Sequence, residues 1–548
     1  MITKSEYKRS SIQTYFLSDF HPTRIVFFFR LLLWIAGAGL LLWMLYFLYR
    51  TVIMPYPITY REGAQLTVTQ ILMQGENPYS LEYQPVGFNL YGIGYSAFVT
   101  PFALLFGNTL AVHRVATLFF LLCVYVYAWI TIYRHNKDLL IALIFCSLIL
   151  AVLSGYGENG AYPSAMGVFI MLLAVLIPFA FSFSFPSLLA SVAFSVLVYY
   201  VKPYFLLSVG VVASYLFLFV SKKKGALYFF IFVLAFIGVY IPVRYKFEWY
   251  FIDTILGSMA NTKISSSHLN KQLVVLTAQF YLTLIAAFIT LLVNLPTIKS
   301  FKNLLRDHFP CFDILSIEQP LISKPINYFA YFFICSTLVF VLLLGLHTGA
   351  YMTYAYQLIV PPFLLWFSMQ IKAHSRLSSL VSILALINLF LIISEMQHPA
   401  YLSQATSKEW ARLYEYARQS GQILNSPVIV PVMIEQGLLP VDSGQTQYFS
   451  TIQGRDYRAA SFGRNENILL GPSYFEVKAI SKKYHKNILT AVQDAKYDLI
   501  IITHRQYLID YIYEDLPKTY TLVETILVKF PQYKSSTTVE IWKPISSP

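Results

Sequence analysis

Charge is what this chain lacks. Only 12% of its 548 residues are Asp, Glu, Lys or Arg, where a soluble globular domain carries about 25%. Such a chain cannot cover a soluble surface. Cysteine is scarce as well: Cys123, Cys146 and Cys335 lie in apolar runs and Cys311 in a polar loop. Their spacing excludes both a disulfide framework and a cysteine-based metal site. No P-loop, GxGxxG, HExxH or GxSxG pattern occurs, so the common nucleotide, zinc-protease and serine-hydrolase signatures are missing. Internal repeats and low-complexity tracts are absent too.

What is present is apolar. Hydrophobic residues make up 57% of the chain and the mean hydropathy is +0.58, the composition of a polytopic helical membrane protein. The formal net charge of +13 does not form a basic face on a soluble domain. Its Lys and Arg cluster in short loops between apolar runs, as membrane orientation requires. Nucleic acid is therefore no expected partner, whereas the bilayer is.

A spanning helix needs about 20 mostly apolar residues. Eleven segments qualify: 25–49, 110–133, 138–154, 164–183, 186–201, 204–220, 226–243, 272–294, 328–345, 355–371 and 377–395. The first is too long for a signal-peptide core, and no small-residue cleavage site follows it, so it is expected to stay as a helix. A twelfth stretch, 88–107 ("FNLYGIGYSAFVTPFALLFG"), is interrupted by Gly92, Gly94, Pro101 and Gly107. If it does not cross, "RHNK" (134–137), "SKKK" (221–224), the 295–327 segment and "KAHSR" (372–376) share one side with the basic N-terminus. The positive-inside bias thus makes 88–107 a surface or re-entrant element. The N-terminus is then cytoplasmic and the C-terminus extracytoplasmic, in a cell inner (plasma) membrane. Residues 204–220 are expected to form a separate helix, broken from the one before at Pro203.

Residues 397–548 change character and are expected to form an extracytoplasmic α/β domain, beside a transmembrane domain of residues 1–396 whose first external loop spans 50–109. "SKEWARLYEYARQSGQIL" puts Trp410, Leu413, Tyr414 and Ala417 on one helical face, with Ser407 as the expected N-cap. Ile480, Tyr484, Ile488 and Val492 recur at i+4 in a second amphipathic helix. "PVIVPVMI" and "DLIIIT" read as buried strands, and "YTLVETILVKF" with "TTVEIWKP" as a closing strand pair.

On this plan several polar groups gather at the outer rim. Glu62 lies in "YREGAQLTVTQILMQGENPY" (60–79), Glu158 in "SGYGENGAYPS", Lys202 in "VKPY", Arg244 in "VRYKFEWYF" and His347 in "LHTGAYMTY". Tyr204 and Tyr351, in the same VKPY and LHTGAYMTY segments, are the aromatic candidates for substrate contact. A carboxylate can accept the proton of an attacking hydroxyl. Fixed cations can hold a phosphate and neutralise the charge that grows as it leaves. Singly, each residue also has an ordinary reading: a solvated carboxylate, snorkelling cations, a histidine at a helix end.

The order of parts is more specific. A first helix leads to an acidic loop with a short amphipathic segment closed by Gly75 and "NPY", then "LFGNTLAVHR", a basic turn, and a second acidic loop, "SGYGEN". In these segments, over roughly residues 25–245, the chain resembles the polytopic GT-C glycosyltransferases. These include protein O-mannosyltransferases, lipid A aminoarabinose transferases and polyprenyl-phosphate-dependent mannosyl- and arabinosyltransferases. Where many members carry Asp or Asp-Glu in the first loop, this chain has Arg61-Glu62. The resemblance implies a polyprenyl-phosphate-linked sugar donor used without nucleotide, and a glycan, lipid or protein acceptor. It implies that Glu62 is the base of an inverting transfer, that Glu158 supports it, and that Lys202 or Arg244, with His347, holds the lipid phosphate. No cofactor is expected, and nothing points to a divalent metal. A flippase or transporter of lipid-linked saccharides and a glycan ligase are the alternative readings. A flippase calls for repeated halves and midplane charges, of which the sequence has no sign.

Overall fold

The computed structural model describes residues 24–155, 159–256, 264–293, 327–349, 352–372, 376–396, 404–444, 446, 474–503, 512–530 and 536–545. Glu158, Tyr351, Cys311, the basic residues Lys4, Lys8 and Arg9 and most of the 295–327 segment lie outside them.

Every expected apolar segment is helical. They form α1 (Arg24–Val52), α4 (Leu110–Asn136), α5 (Leu139–Gly155), α6 (Ser164–Ala180), α7 (Phe185–Tyr199), α8 (Leu207–Tyr215), α9 (Lys222–Lys246), α10 (Ser266–Val293), α11 (Tyr328–Val339), the pair α12 (Met352–Leu358) and α13 (Val360–Gln370), and α14 (Arg376–Glu395). Six described stretches are long and apolar enough to cross a membrane, and the remaining apolar helices are shorter. Between α1 and α4 lie α2 (Glu62–Met73) and α3 (Gly94–Phe106). Phe27, Leu42, Leu105, Phe230, Leu234 and Leu342 leave their apolar side chains exposed, as lipid-facing surfaces do.

Two side-chain ties order the ends of the bundle. Arg30, near the start of α1, makes a two-pronged bond at 2.9 Å to Asp138, which also caps α5 through the Leu140 N–H. Asn136 donates to the Ser368 carbonyl at the end of α13. The start of α1, the 134–137 turn and the turn after α13 therefore share one end. The end of α1 lies opposite. Segment 88–107 does not cross: the Gly94 N–H bonds the Tyr200 carbonyl at one end of α3, and Asn108 bonds the Leu66 carbonyl at the other. Both partners belong to the far end.

In intact cells, a cysteine placed in the 134–137 turn is expected to be shielded from an impermeant thiol reagent, and one at Leu438 to be labelled. Labelling of the first from outside would reverse the orientation derived from the basic loops.

After α14 come α15 (Gln404–Arg418), β1 (Ile423–Leu424), α16 (Val430–Glu435), α17 (Tyr474–Gln493), β2 (Leu499–Thr503), α18 (Leu516–Thr519), β3 (Tyr520–Val528) and β4 (Thr537–Pro544). The strands form one sheet in the order β1-β2-β4-β3, with β1 parallel to β2 and the other pairs antiparallel. Alternation along β2 sends Leu499 and Ile501 to one face, with Trp410, Leu413, Tyr414 and Ala417 of α15. Ile500 and Ile502 go to the other, with Ile488 and Val492 of α17 and Leu516 of α18.

Two local expectations are corrected. "PVIVPVMI" is not a strand: Pro427–Ile429 is a single 3₁₀ turn leading into α16. Pro431 lacks an N–H for a central ladder but suits the first turn of a helix. The strand at this edge is the two-residue β1, too short to show a period. Ser407 is no cap, because α15 starts at Gln404; its carbonyl accepts from the Tyr56 hydroxyl instead.

Candidate active site

The α2 sequence begins with the acid the sequence reading singled out, and a carboxylate in the first turn suits the positive end of a helix. Its setting is not the exposed rim. Glu62 and Arg114 are both fully buried. Arg114 grips the carboxylate in a fork, Nε to Oε1 at 2.9 Å and Nη2 to Oε2 at 2.8 Å. The backbone N–H of Ala161 adds a bond to Oε1 at 2.8 Å, and that of Ile58 one to Oε2 at 2.6 Å. A carboxylate has about four lone-pair sites, and all four are occupied. The remaining donors of Arg114 reach the carbonyls of Thr51, Met54 and Tyr56. Gly160 permits the approach, since a Cβ there would stand 2.9 Å from Oε1.

This geometry places Glu62 in a buried ion pair rather than at an open rim. It ties the exit of α1, the start of α2, the body of α4 and the turn before α6 into one joint. No oxygen faces outward for an acceptor hydroxyl. The holding residue that sequence reasoning left unassigned is Arg114, although it lies within the quoted "LAVHR". Its signal was available: an arginine inside an apolar span calls for a partner.

A second polar centre forms where α7 ends. Lys202 precedes Pro203 and takes the extended conformation that a following proline favours (φ −155°, ψ 121°), which separates α7 from the turn Pro203–Leu206 that opens α8. The residue is 5% exposed. The ammonium donates to Ser164 Oγ at 2.5 Å. It faces three tyrosine rings: Tyr91 at 4.7 Å, Tyr204 at 5.6 Å and Tyr354 at 5.8 Å from the ring centres. The Tyr204 hydroxyl donates to Gln357 Oε1, and the buried Nε2 of Gln357 has no partner. Ser164 is the first residue of α6. A lysine ammonium thus meets the positive end of a helix, beside an unused amide donor. Positive potential of this kind attracts anions.

No family model matches the chain, and no curated protein matches it. Among solved structures it is similar to the crystal structure of ArnT from Cupriavidus metallidurans bound to undecaprenyl phosphate. The two are 11% identical, the match covers 92% of this chain and 97% of that one, and the TM-score is 0.45.

Of the other expected residues, Tyr204 shares the Lys202 site. Arg244 sits on the last turn of α9, half-buried, and donates to the Glu248 carbonyl at 3.1 Å. His347 lies in the turn after α11, where its backbone bridges Ile264. Among the described residues, no three of His, Cys, Asp and Glu converge as metal ligands. Tyr91, Tyr354 and Gln357 are contributors that the sequence reading did not name. Each lies far along the chain from Lys202, although Tyr91 and Tyr354 fall within the quoted 88–107 and "LHTGAYMTY" segments.

Proposed function

We propose that the protein is an integral membrane glycosyltransferase that moves a sugar from a polyprenyl-phosphate donor to an acceptor hydroxyl at the extracytoplasmic face, with inversion. The observation that carries this reading is Lys202, buried at the N-terminus of α6 under three tyrosine rings. In an apolar chain, an enclosed cation beside a helix N-terminus suits a phosphate that arrives on a lipid. Helices α6 and α7 have 17 and 15 residues. At 1.5 Å per residue they fall short of a ~30 Å hydrocarbon core. The ends bearing Ser164 and Lys202 are thus drawn below the outer surface, toward the depth of a lipid headgroup.

In the transfer, the acceptor oxygen bonds to the anomeric carbon as the bond from that carbon to the phosphate oxygen breaks. The polyprenyl phosphate leaves with its charge met by Lys202, Ser164 and the first N–H groups of α6. With Glu62 engaged by Arg114, the acceptor's proton goes to Glu158, the carboxylate of the second external loop. Glu62 supports the reaction by holding that loop through the Ala161 N–H. This single displacement inverts the anomeric centre.

The test is binding of polyprenyl phosphate to purified protein, with the uncharged polyprenol as control. Loss of a charge-assisted hydrogen bond costs on the order of 1.5–3 kcal/mol, so Lys202→Met is expected to weaken phosphate binding roughly 10- to 150-fold and to leave polyprenol binding unchanged. Equal affinity in wild type and variant would remove Lys202 from the donor site and this function with it.

A further inference from the structure

Asp253 follows α9 in the turn Ile252–Leu256 and is fully buried. Gln84 donates its side-chain amide to Asp253 Oδ2 at 3.0 Å. The other oxygen of each group, Asp253 Oδ1 and Gln84 Oε1, is buried without a partner. If Asp253 were ionised, both would be acceptors with no donor between them, and no Lys, Arg or His pairs with the carboxylate among the described residues. A proton on Oδ1 would give Asp253 a donor of the kind Gln84 Oε1 lacks, beside the N–H to Oδ2 bond already in place.

We propose that Asp253 is a neutral carboxylic acid in the working protein, joined to Gln84 in a cyclic acid–amide pair, and that this pair positions the aromatic wall of the Lys202 site. Gln84 begins the strap 84–94. Further along it, Asn89 Oδ1 accepts from Gln65 and from the Tyr91 N–H. The Gly92 and Gly94 N–H groups bond the Val201 and Tyr200 carbonyls, which sets the Tyr91 ring over Lys202. Gly92 is required for this approach, because a Cβ there would stand 1.9 Å from the Tyr200 carbonyl oxygen. The pair fixes one end of the strap and the carbonyls fix the other. Asp253 and Gln84 are positioning residues, since neither contacts Lys202 in this arrangement.

The surroundings agree. Burial pushes the Asp253 carboxyl well above the usual carboxylate range, against the smaller opposing pull of the Gln84 amide and the Asn89 backbone. Among the described residues, Tyr79 from the loop after α2 interacts with Asp253 electrostatically; Tyr250 packs edge-on to Tyr79 at 5.0 Å, and Tyr200 lies 5.8 Å from Tyr250. On the neighbouring end of α9, Arg244 is turned to the Glu248 carbonyl. The folded state holds a proton that the unfolded chain releases near pH ~3.9. Stability from this pair is therefore complete below that pH and is lost as pH rises toward the raised folded value.

The experiment uses purified full-length protein, followed by melting across about pH 5–9, by infrared difference spectroscopy and by polyprenyl phosphate binding. Asp253→Asn replaces the acid O–H with an amide N–H. It is expected to melt like wild type at acid pH, to fall less steeply as pH rises, and to remove one protonated-carboxyl carbonyl band. Gln84→Leu should lower the melting temperature, shift that band and weaken phosphate binding roughly 2- to 10-fold, the worth of one neutral hydrogen bond. Should Asp253→Asn not fold, the band shift in Gln84→Leu decides the protonation. Absence of any band traceable to Asp253, or an unchanged pH slope in Asp253→Asn, overturns the neutral acid. Wild-type phosphate affinity in Gln84→Leu overturns the positioning role. That last arm rests on the reading of Lys202 as the phosphate site; if wild type itself binds no polyprenyl phosphate, that reading fails while the infrared and melting results still decide the pair.

Discussion

Purified Glu62→Gln protein is expected to lose about 3–5 kcal/mol of stability, the cost of leaving one member of a buried ion pair without the other. Glutamine keeps the volume but carries no charge for Arg114, whose guanidinium is fully enclosed. Nor can a neutral amide accept four bonds as the carboxylate does. Arg114→Met should fall by a similar amount. A double Glu62→Met/Arg114→Met variant should recover only part of the loss, because the N–H groups of Ile58 and Ala161 and the carbonyls of Thr51, Met54 and Tyr56 would still lack partners. Melting in a fixed detergent separates this from a catalytic role. A Glu62→Gln protein that melts like wild type yet turns over about 10²–10⁴ times more slowly would return the general-base role to Glu62.

Glu158→Gln is expected to behave in the opposite way. It should melt like wild type, bind polyprenyl phosphate normally and lose about 10²–10⁴-fold in turnover, the usual contribution of a general base. Glu158→Asp should keep part of the activity, as the carboxylate remains but is drawn back by one methylene. The measurement is turnover with a polyprenyl-phosphate-linked sugar, set against donor affinity for the same preparations. Wild-type turnover in Glu158→Gln would remove the proton acceptor from the proposed reaction.

Much of the architecture was open to reading because long apolar runs and short basic turns act at the scale of whole segments. The lipid requirement fixes the helices, and the charge bias alone kept 88–107 from being counted as a span. Burial of single polar residues obeys a different rule. The position of Glu62 after a membrane exit says nothing of Arg114, which lies 52 residues further on. Lys202 was a candidate because it is a cation where an apolar stretch meets the outer rim, yet Tyr91, Tyr354 and Gln357 reach it only through the fold. In the C-terminal domain, β3 and β4 were legible from alternation. "PVIVPVMI" was not, since its β-branched content pointed to a strand. Packing decided otherwise: Val430 and Ile434 meet Leu66 of α2, Leu110 and Ala161.

That last contact sets a schedule for biogenesis. The loop after α1 leaves the ribosome early, but part of its cover comes from the far end of the chain. A Cβ on Gly63 would stand 2.9 Å from the Ser443 carbonyl oxygen, and one on Gly444 2.4 Å from that of Tyr60. Those surfaces are made roughly 380 residues apart, which at about 5–20 residues per second is some 20–80 s of synthesis. During that interval the loop must keep its shape while partly uncovered. Arg114 is translated within seconds of Glu62, as soon as the next apolar helix follows. The two halves of the ion pair are thus made close together in time, whereas the cover from the last domain comes long after.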